Sequence, residues 1–307
     1  MGRILIAVDG STPSHHALDF GVDLAARLGV GATLLYVMPQ VVFPLAGTPD
    51  SLDALQDAVR EECTRLLEGL AARARGHGVS VTTELALGVP ADVIHERAEA
   101  ADVQLAVMGS RGHGGVTRLL LGSVATRVVH LCTRPVAVVM SEAGGSTMQR
   151  ILVAVDGTPV AREAARVGLD LANRMRMRVT LVHVLPALGE SGADFAAFER
   201  ACEIYASELL EEVRQETGLQ GPPTDTEILH GEPAEAIAQA AEAADVHMVI
   251  LGTRARGALA RTLLGSVTDA LLPRSPKPVM VVPESPKRVR ATPEAEHGHA
   301  EDRPCPS

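Results

Sequence analysis

Apolar residues run along this chain in two rhythms. The first is short unbroken stretches rich in Val, Ile and Leu: ILIAV (4–8), ATLLYV (32–37), VQLAVM (103–108) and PVAVVM (135–140). Such runs read as strands covered on both faces. VSVTTELA (79–86) alternates instead, as a strand with one wetter face does. The second rhythm is helical: Ala17, Phe20, Gly21, Leu24, Ala25 and Leu28 fall on one stripe. Pro13, just ahead of that stripe, suits a first helical turn. Further helices are predicted near 51–75, from Gly88-Val89-Pro90 through Ala100, and near 123–131, with the proline-bearing stretch 38–50 as a loop. The order is βαβαβαβαβ, and right-handed crossovers turn that order into a parallel sheet flanked by helices.

The whole pattern then repeats. RILIAVDGS (3–11) returns as RILVAVDGT (150–158), and residues 88–139 align with 231–282 without a gap, with nearly half of the positions identical. A period of about 145 residues is the size of a domain rather than of a solenoid unit. The fold class is therefore α/β, with two tandem doubly wound domains. Their expected bounds are 1–141 and 150–284, joined by a linker at 142–149. Residues 284–307 are rich in proline and charge with almost nothing apolar, which predicts a disordered tail over 285–307.

Composition narrows the function. The chain is 46% apolar but holds only 2 Tyr, 4 Phe and no Trp, so its core must be aliphatic. Stacking on single-stranded nucleic acid needs aromatic platforms, and a net charge of −10 disfavours gripping a phosphate backbone. The four cysteines (63, 132, 202 and 305) make no C-x-x-C pair, and none recurs at the aligned position of the other copy. That argues against a disulfide framework or a zinc site. With no signal peptide ahead of the first strand and no apolar run long enough to span a bilayer, the expected location is the cytoplasm.

In an open parallel sheet, ligands bind beyond the carboxyl ends of the strands. Two loops lie there in each copy. In copy one they are Asp9-Gly10-Ser11 and Gly109-Ser110-Arg111-Gly112-His113-Gly114-Gly115, the latter leading to Leu121-Gly122-Ser123. Glycines let successive backbone N–H groups form an anion cradle. Gly122-Ser123 opens a helix whose N-terminus favours a phosphate. Blander readings stand beside these. Arg111 is either a phosphate clamp or a solvated loop charge, His113 is by default an exposed loop residue, and Asp9 can be the N-cap of the first helix. Short glycine motifs recur without function.

With these motifs in view, the chain resembles a tandem universal stress protein over essentially all of residues 3–283. Gly109, Gly112, Gly122 and Ser123 match the G-x2-G-x9-G-[ST] motif of that family's ATP-binding members, and GSRGHGG, LLLGSVATRVV and PVAVV surround it. The resemblance implies a five-stranded parallel sheet of order 3-2-1-4-5 in each copy. It implies ATP as the ligand, with Mg2+ as its companion. Asp9 would then face the ribose, and the backbone near Val37 the adenine. The phosphates would lie across Gly109–Gly112 and Gly122-Ser123, within a site that also takes in Ala7, Val8, Met108, Arg111, His113 and Val124. In copy two the corresponding set is Asp156, Val184, Gly252, Arg254, Ala255, Gly265, Ser266 and Val267. There Ala255 stands where the motif has its second glycine, so copy two is expected to be the weaker site.

The function expected is an ATP-binding stress or regulatory protein using ATP as a bound signal, with at most slow hydrolysis. The sequence holds no Walker G-x4-G-K-[ST] loop, and its only lysines, Lys277 and Lys287, lie away from the proposed loops. An adenylating or ATP-hydrolysing enzyme and a nucleotide-free scaffold stay open as alternatives. VAVVM (136–140) and VMVVP (279–283) should be edge strands, and an apolar edge wants a cover. The matching strand of the other copy is the simplest one, giving an intramolecular pseudo-dimer. Homodimers of the whole chain stay open.

Overall fold

A computed structural model describes residues 2–38, 49–112, 121–140, 149–187, 193–216, 221–253 and 265–284. Copy one runs β1 (Arg3–Ala7), α1 (Thr12–Leu28), β2 (Gly31–Met38), α2 (Pro49–Arg75), β3 (Val81–Leu87), α3 (Pro90–Ala98), β4 (Val103–Gly109), α4 (Ser123–Leu131) and β5 (Val136–Val139). Copy two repeats it as β6 (Arg150–Ala154), α5 (Pro159–Met175), β7 (Arg178–Leu185), α6 (Ala193–Glu216), β8 (Thr224–His230), α7 (Pro233–Ala240), β9 (Val246–Gly252), α8 (Ser266–Leu271) and β10 (Val279–Val282). The expected elements are all present, with ends displaced by one or two residues. The expected disordered tail and nearly all of the linker lie outside the described residues.

The ten strands form one sheet of order β3-β2-β1-β4-β5-β10-β9-β6-β7-β8. Each half is parallel with the expected order, and the halves join through an antiparallel pair in which Val138 faces Val279 and Val136 faces Val281. Every residue of β5 and β10 is buried. Their side chains pack into the cores on the two faces of the sheet, and their pairing covers the backbone edge that each half would otherwise expose. The outer strands β3 and β8 are the true edges. They expose Thr82, Thr83 and Leu87 on one side and Asp225, Thr226, Glu227 and His230 on the other. Charged and polar positions deter further pairing.

One face of the sheet packs under α1, α2, α5 and α6, the other under α3, α4, α7 and α8. α1 starts where Ser11 accepts a hydrogen bond from the Ser14 N–H at 3.4 Å, with Pro13 in its first turn. It ends at Gly29, left-handed with φ 64°. In α5, Thr158 caps the start and the left-handed end falls on Arg176, φ 57°. Among the described residues no helix is long and apolar enough to cross a membrane.

Candidate functional site

β1 delivers Ala7, Val8 and Asp9 to the carboxyl end of the sheet, and Gly10 turns the chain with φ 82°, a left-handed value that favours glycine. The Asp9 carboxylate accepts the Ser11 N–H at 2.9 Å, an Asx turn. The helix cap is therefore Ser11, and the reading of Asp9 as the N-cap is corrected: the turn at Gly10 sets the helix two residues later. The Ser11 hydroxyl in turn donates to the Arg111 carbonyl at 3.3 Å, tying the first loop to the second.

The second loop is held by backbone bonds. The Ser110 N–H donates to the Val139 carbonyl at 2.9 Å, and the Gly122 N–H to the Ser110 carbonyl at 2.8 Å. Gly122 is the N-cap of α4 and offers no side chain to its first N–H groups, which leaves that terminus open to an anion. The motif glycines stand at close approaches, and none of them has a left-handed φ. A Cβ at Gly109 would stand 2.7 Å from the Pro13 backbone, and one at Gly122 would stand 3.0 Å from the Ser110 carbonyl oxygen. A Cβ at Gly112 would run into the Asp9 carboxylate.

These segments enclose a cleft of about 470 Å³, within the range of small-molecule sites. Ala7, Val8, Asp9, Val37, Met108, Gly109, Arg111, Gly112, Gly122, Ser123 and Val124 all line it. His113 lies outside the described residues. Sequence reasoning missed the remaining wall: Leu35 and Tyr36 from β2, Pro90 and Ile94 from α3, and Ser14 and Ala125. The alternation of β2 was the available signal for Leu35, which shares a face with Val37. The Tyr36 hydroxyl is pushed up to about 12, first by burial, then by Cys63 and by the charge of Asp9.

Copy two forms the corresponding cleft at about 130 Å³. Asp156, Val184, Gly252, Gly265, Ser266 and Val267 line it, while Arg254 and Ala255 lie outside the described residues. His183 replaces Tyr36, with its Nδ1 2.7 Å from the Val155 carbonyl. The hydroxyl of Thr158, in the place of Ser11, donates to the Asp156 carboxylate at 2.6 Å.

Comparison with known proteins agrees with this construction. The model of the universal stress protein family matches residues 1–140 and again 147–283. A universal stress protein of Mycobacterium tuberculosis is 29% identical over 288 residues, covering 91% of this chain and 96% of its own length. A shorter one from Bacillus subtilis is 34% identical over 144 residues, covering 45% of this chain and 97% of its own length. The crystal structure of a universal stress protein from Archaeoglobus fulgidus superposes with a TM-score of 0.63 at 23% identity, covering 91% of this chain and 97% of that one. With both halves matched and the same sheet order in each, this chain belongs to the universal stress protein family, as a tandem of two of its domains.

Proposed function

We propose that copy one binds ATP, and that the protein is a stress-response regulator reading ATP as a bound signal, with at most slow hydrolysis. One observation carries the reading: the residues that spell the nucleotide motif, drawn from separate segments, line a single cleft. Its chemistry is divided as a nucleotide requires. Leu35, Val37, Ile94 and Met108 offer an apolar wall for a purine. The uncapped start of α4 and the exposed Ser123 hydroxyl offer donors to phosphate. Asp9 suits a ribose hydroxyl and is the one carboxylate among the described lining residues. Mg2+ would travel with the triphosphate, held largely by phosphate oxygens and water. Copy two is the weaker site, with a smaller cleft and with Ala255 at the second motif position. The division into two nucleotide-fold domains near residues 141 and 150, and a cytoplasmic location, belong to the same proposal.

One observation favours a second reading. The motif glycines also let β4 and its loop close against α1 and Asp9, so a nucleotide-free scaffold would need them as well. Glycine variants cannot separate the two readings, but Ser123→Glu can. A carboxylate in the first turn of α4 stabilises that helix and repels phosphate. ATP affinity should fall at least tenfold, about 1.4 kcal/mol, with thermal stability retained. Unchanged affinity would overturn the site, and no binding by the unmodified protein at millimolar ATP would favour the scaffold.

A further inference from the structure

A second constellation lies on the same face of the sheet, at the far ends of α3 and α4. His95 sits in the last turn of α3, Glu99 caps that helix, and Cys132 caps α4. One ligand atom from each, a His95 nitrogen, a Glu99 carboxylate oxygen and the Cys132 sulfur, lie within 4.8 Å of one another. His95 Nδ1 is 3.7 Å from Glu99 Oε1, beyond hydrogen-bond reach, and this buried nitrogen has no hydrogen-bond partner among the described residues. The carboxylate is already aimed: Glu99 Oε1 accepts the Thr133 N–H at 2.6 Å, and Oε2 accepts the Thr133 hydroxyl. Such outer bonds orient a metal ligand and leave it lone pairs to give. Cys132 is 1% exposed, whereas the His95 and Glu99 side chains are 32% and 29% exposed. An ion would therefore enter from their side and meet the sulfur at the bottom.

The geometry points to a Zn2+ site formed by His95, Glu99 and Cys132, with water in the fourth position. Ligand atoms sharing one tetrahedral zinc stand about 3.5 Å apart, so only modest side-chain rotation closes the set. The donor types choose the metal. Thiolate with imidazole suits zinc, whereas Mg2+ and Ca2+ want oxygen alone. On binding, the Cys132 S–H bond breaks, its proton leaves to solvent, and the sulfur–zinc bond forms. The spacing 95, 99, 132 spells no metal motif. Two ligands come from one helix end and the third from its neighbour, which only the packing of α3 against α4 brings close.

The site exists in one copy only. At the aligned positions copy two carries Ala238, Glu242 and Ser275. The Ser275 hydroxyl donates to the Lys277 carbonyl at 2.8 Å, so that half closes the same corner with a local turn. His95→Ala and Cys132→Ser thus install residues that the fold already accommodates.

The test uses the full-length reduced chain, stripped with a chelator and titrated with Co2+ as the spectroscopic probe for zinc. One equivalent should raise a thiolate-to-cobalt charge-transfer band, and one equivalent of Zn2+ should abolish it. Cys132→Ser should lose the band, and His95→Ala and Glu99→Gln should each weaken Co2+ binding at least tenfold. Cys63→Ser and the tail variant His297→Ala/His299→Ala should match the unmodified protein. The proposal is overturned if no band forms at saturating Co2+, if the band survives in Cys132→Ser, or if the tail variant abolishes it. Should Cys132→Ser fail to fold, the affinities of His95→Ala and Glu99→Gln decide the matter.

Discussion

The two clefts are assembled from the same strands, turns and helices, yet among the described residues one encloses about 470 Å³ and the other about 130 Å³. Their scaffolds match closely. Gly10 and Gly157 share φ 82°, and Gly109 and Gly252 press in the same way on the backbones of Pro13 and Val160. Their side chains have diverged. Ser11 reaches across to the glycine loop through the Arg111 carbonyl, whereas Thr158 folds back onto Asp156. Tyr36 has become His183, whose ring lies against the Val155 carbonyl. The second copy thus keeps the backbone closure of these loops and changes the side chains around its cleft.

The largest expected effect arises where the halves meet. His247 of β9 is buried against Phe20 of α1, with ring centroids 5.3 Å apart, and its aligned residue in copy one is Gln104. Burial, the main cause, pushes the imidazole down to about 4; Asp23 opposes this, and Arg27 and Lys277 add to it. The unfolded chain takes up this proton near pH 6.5. The contribution to stability is complete above that pH and is lost as pH falls toward 4, a loss of roughly 3 kcal/mol. His247→Gln should flatten that part of the profile, as denaturant unfolding across the window would show. An unchanged slope would mean that this histidine does not set the acid sensitivity of the junction.

Next in size are Gly109→Ala and Gly252→Ala. Their added methyls would stand 2.7 Å and 2.8 Å from opposing backbone, so each should cost about 1–3 kcal/mol, measured by urea unfolding. A neutral Gly252→Ala would show that copy two has relaxed its scaffold as well. Smaller again is Arg176→Gly. Arg176 holds the left-handed position that Gly29 fills in copy one, so the change should stabilise by up to about 1 kcal/mol, seen as a raised melting temperature.

Much of this arrangement was legible before the structure. ILIAV and VQLAVM are short apolar runs ending at turn residues, as buried strands are, and the hydrophobic edges at 136–140 and 279–283 were each other's simplest cover. The lining of the first cleft was legible where it is written locally, in Asp9 and in Gly109, Gly112 and Gly122. It was not legible where it depends on which strand lies beside which. Leu35, Tyr36, Pro90 and Ile94 reach the cleft only because β2 pairs with β1 and α3 packs beneath. Asp9 and Ser11 are both good caps by composition, and only the turn at Gly10 decides between them. His95, Glu99 and Cys132 escaped a reading based on cysteine spacing for the same reason of distance along the chain.

The inequality of the two clefts is tested most directly by titration calorimetry with ATP on three full-length proteins: unmodified, Ser123→Glu and Ser266→Glu. Both serines are exposed at the first turn of the corresponding helices, so the two changes are equivalent in structure. The unmodified protein should show one tight site, lost in Ser123→Glu and retained in Ser266→Glu. Adding Ala255→Gly to Ser123→Glu should then restore part of the binding, through copy two. Tight binding that survives in Ser123→Glu and disappears in Ser266→Glu would contradict the account and reverse the roles of the two copies.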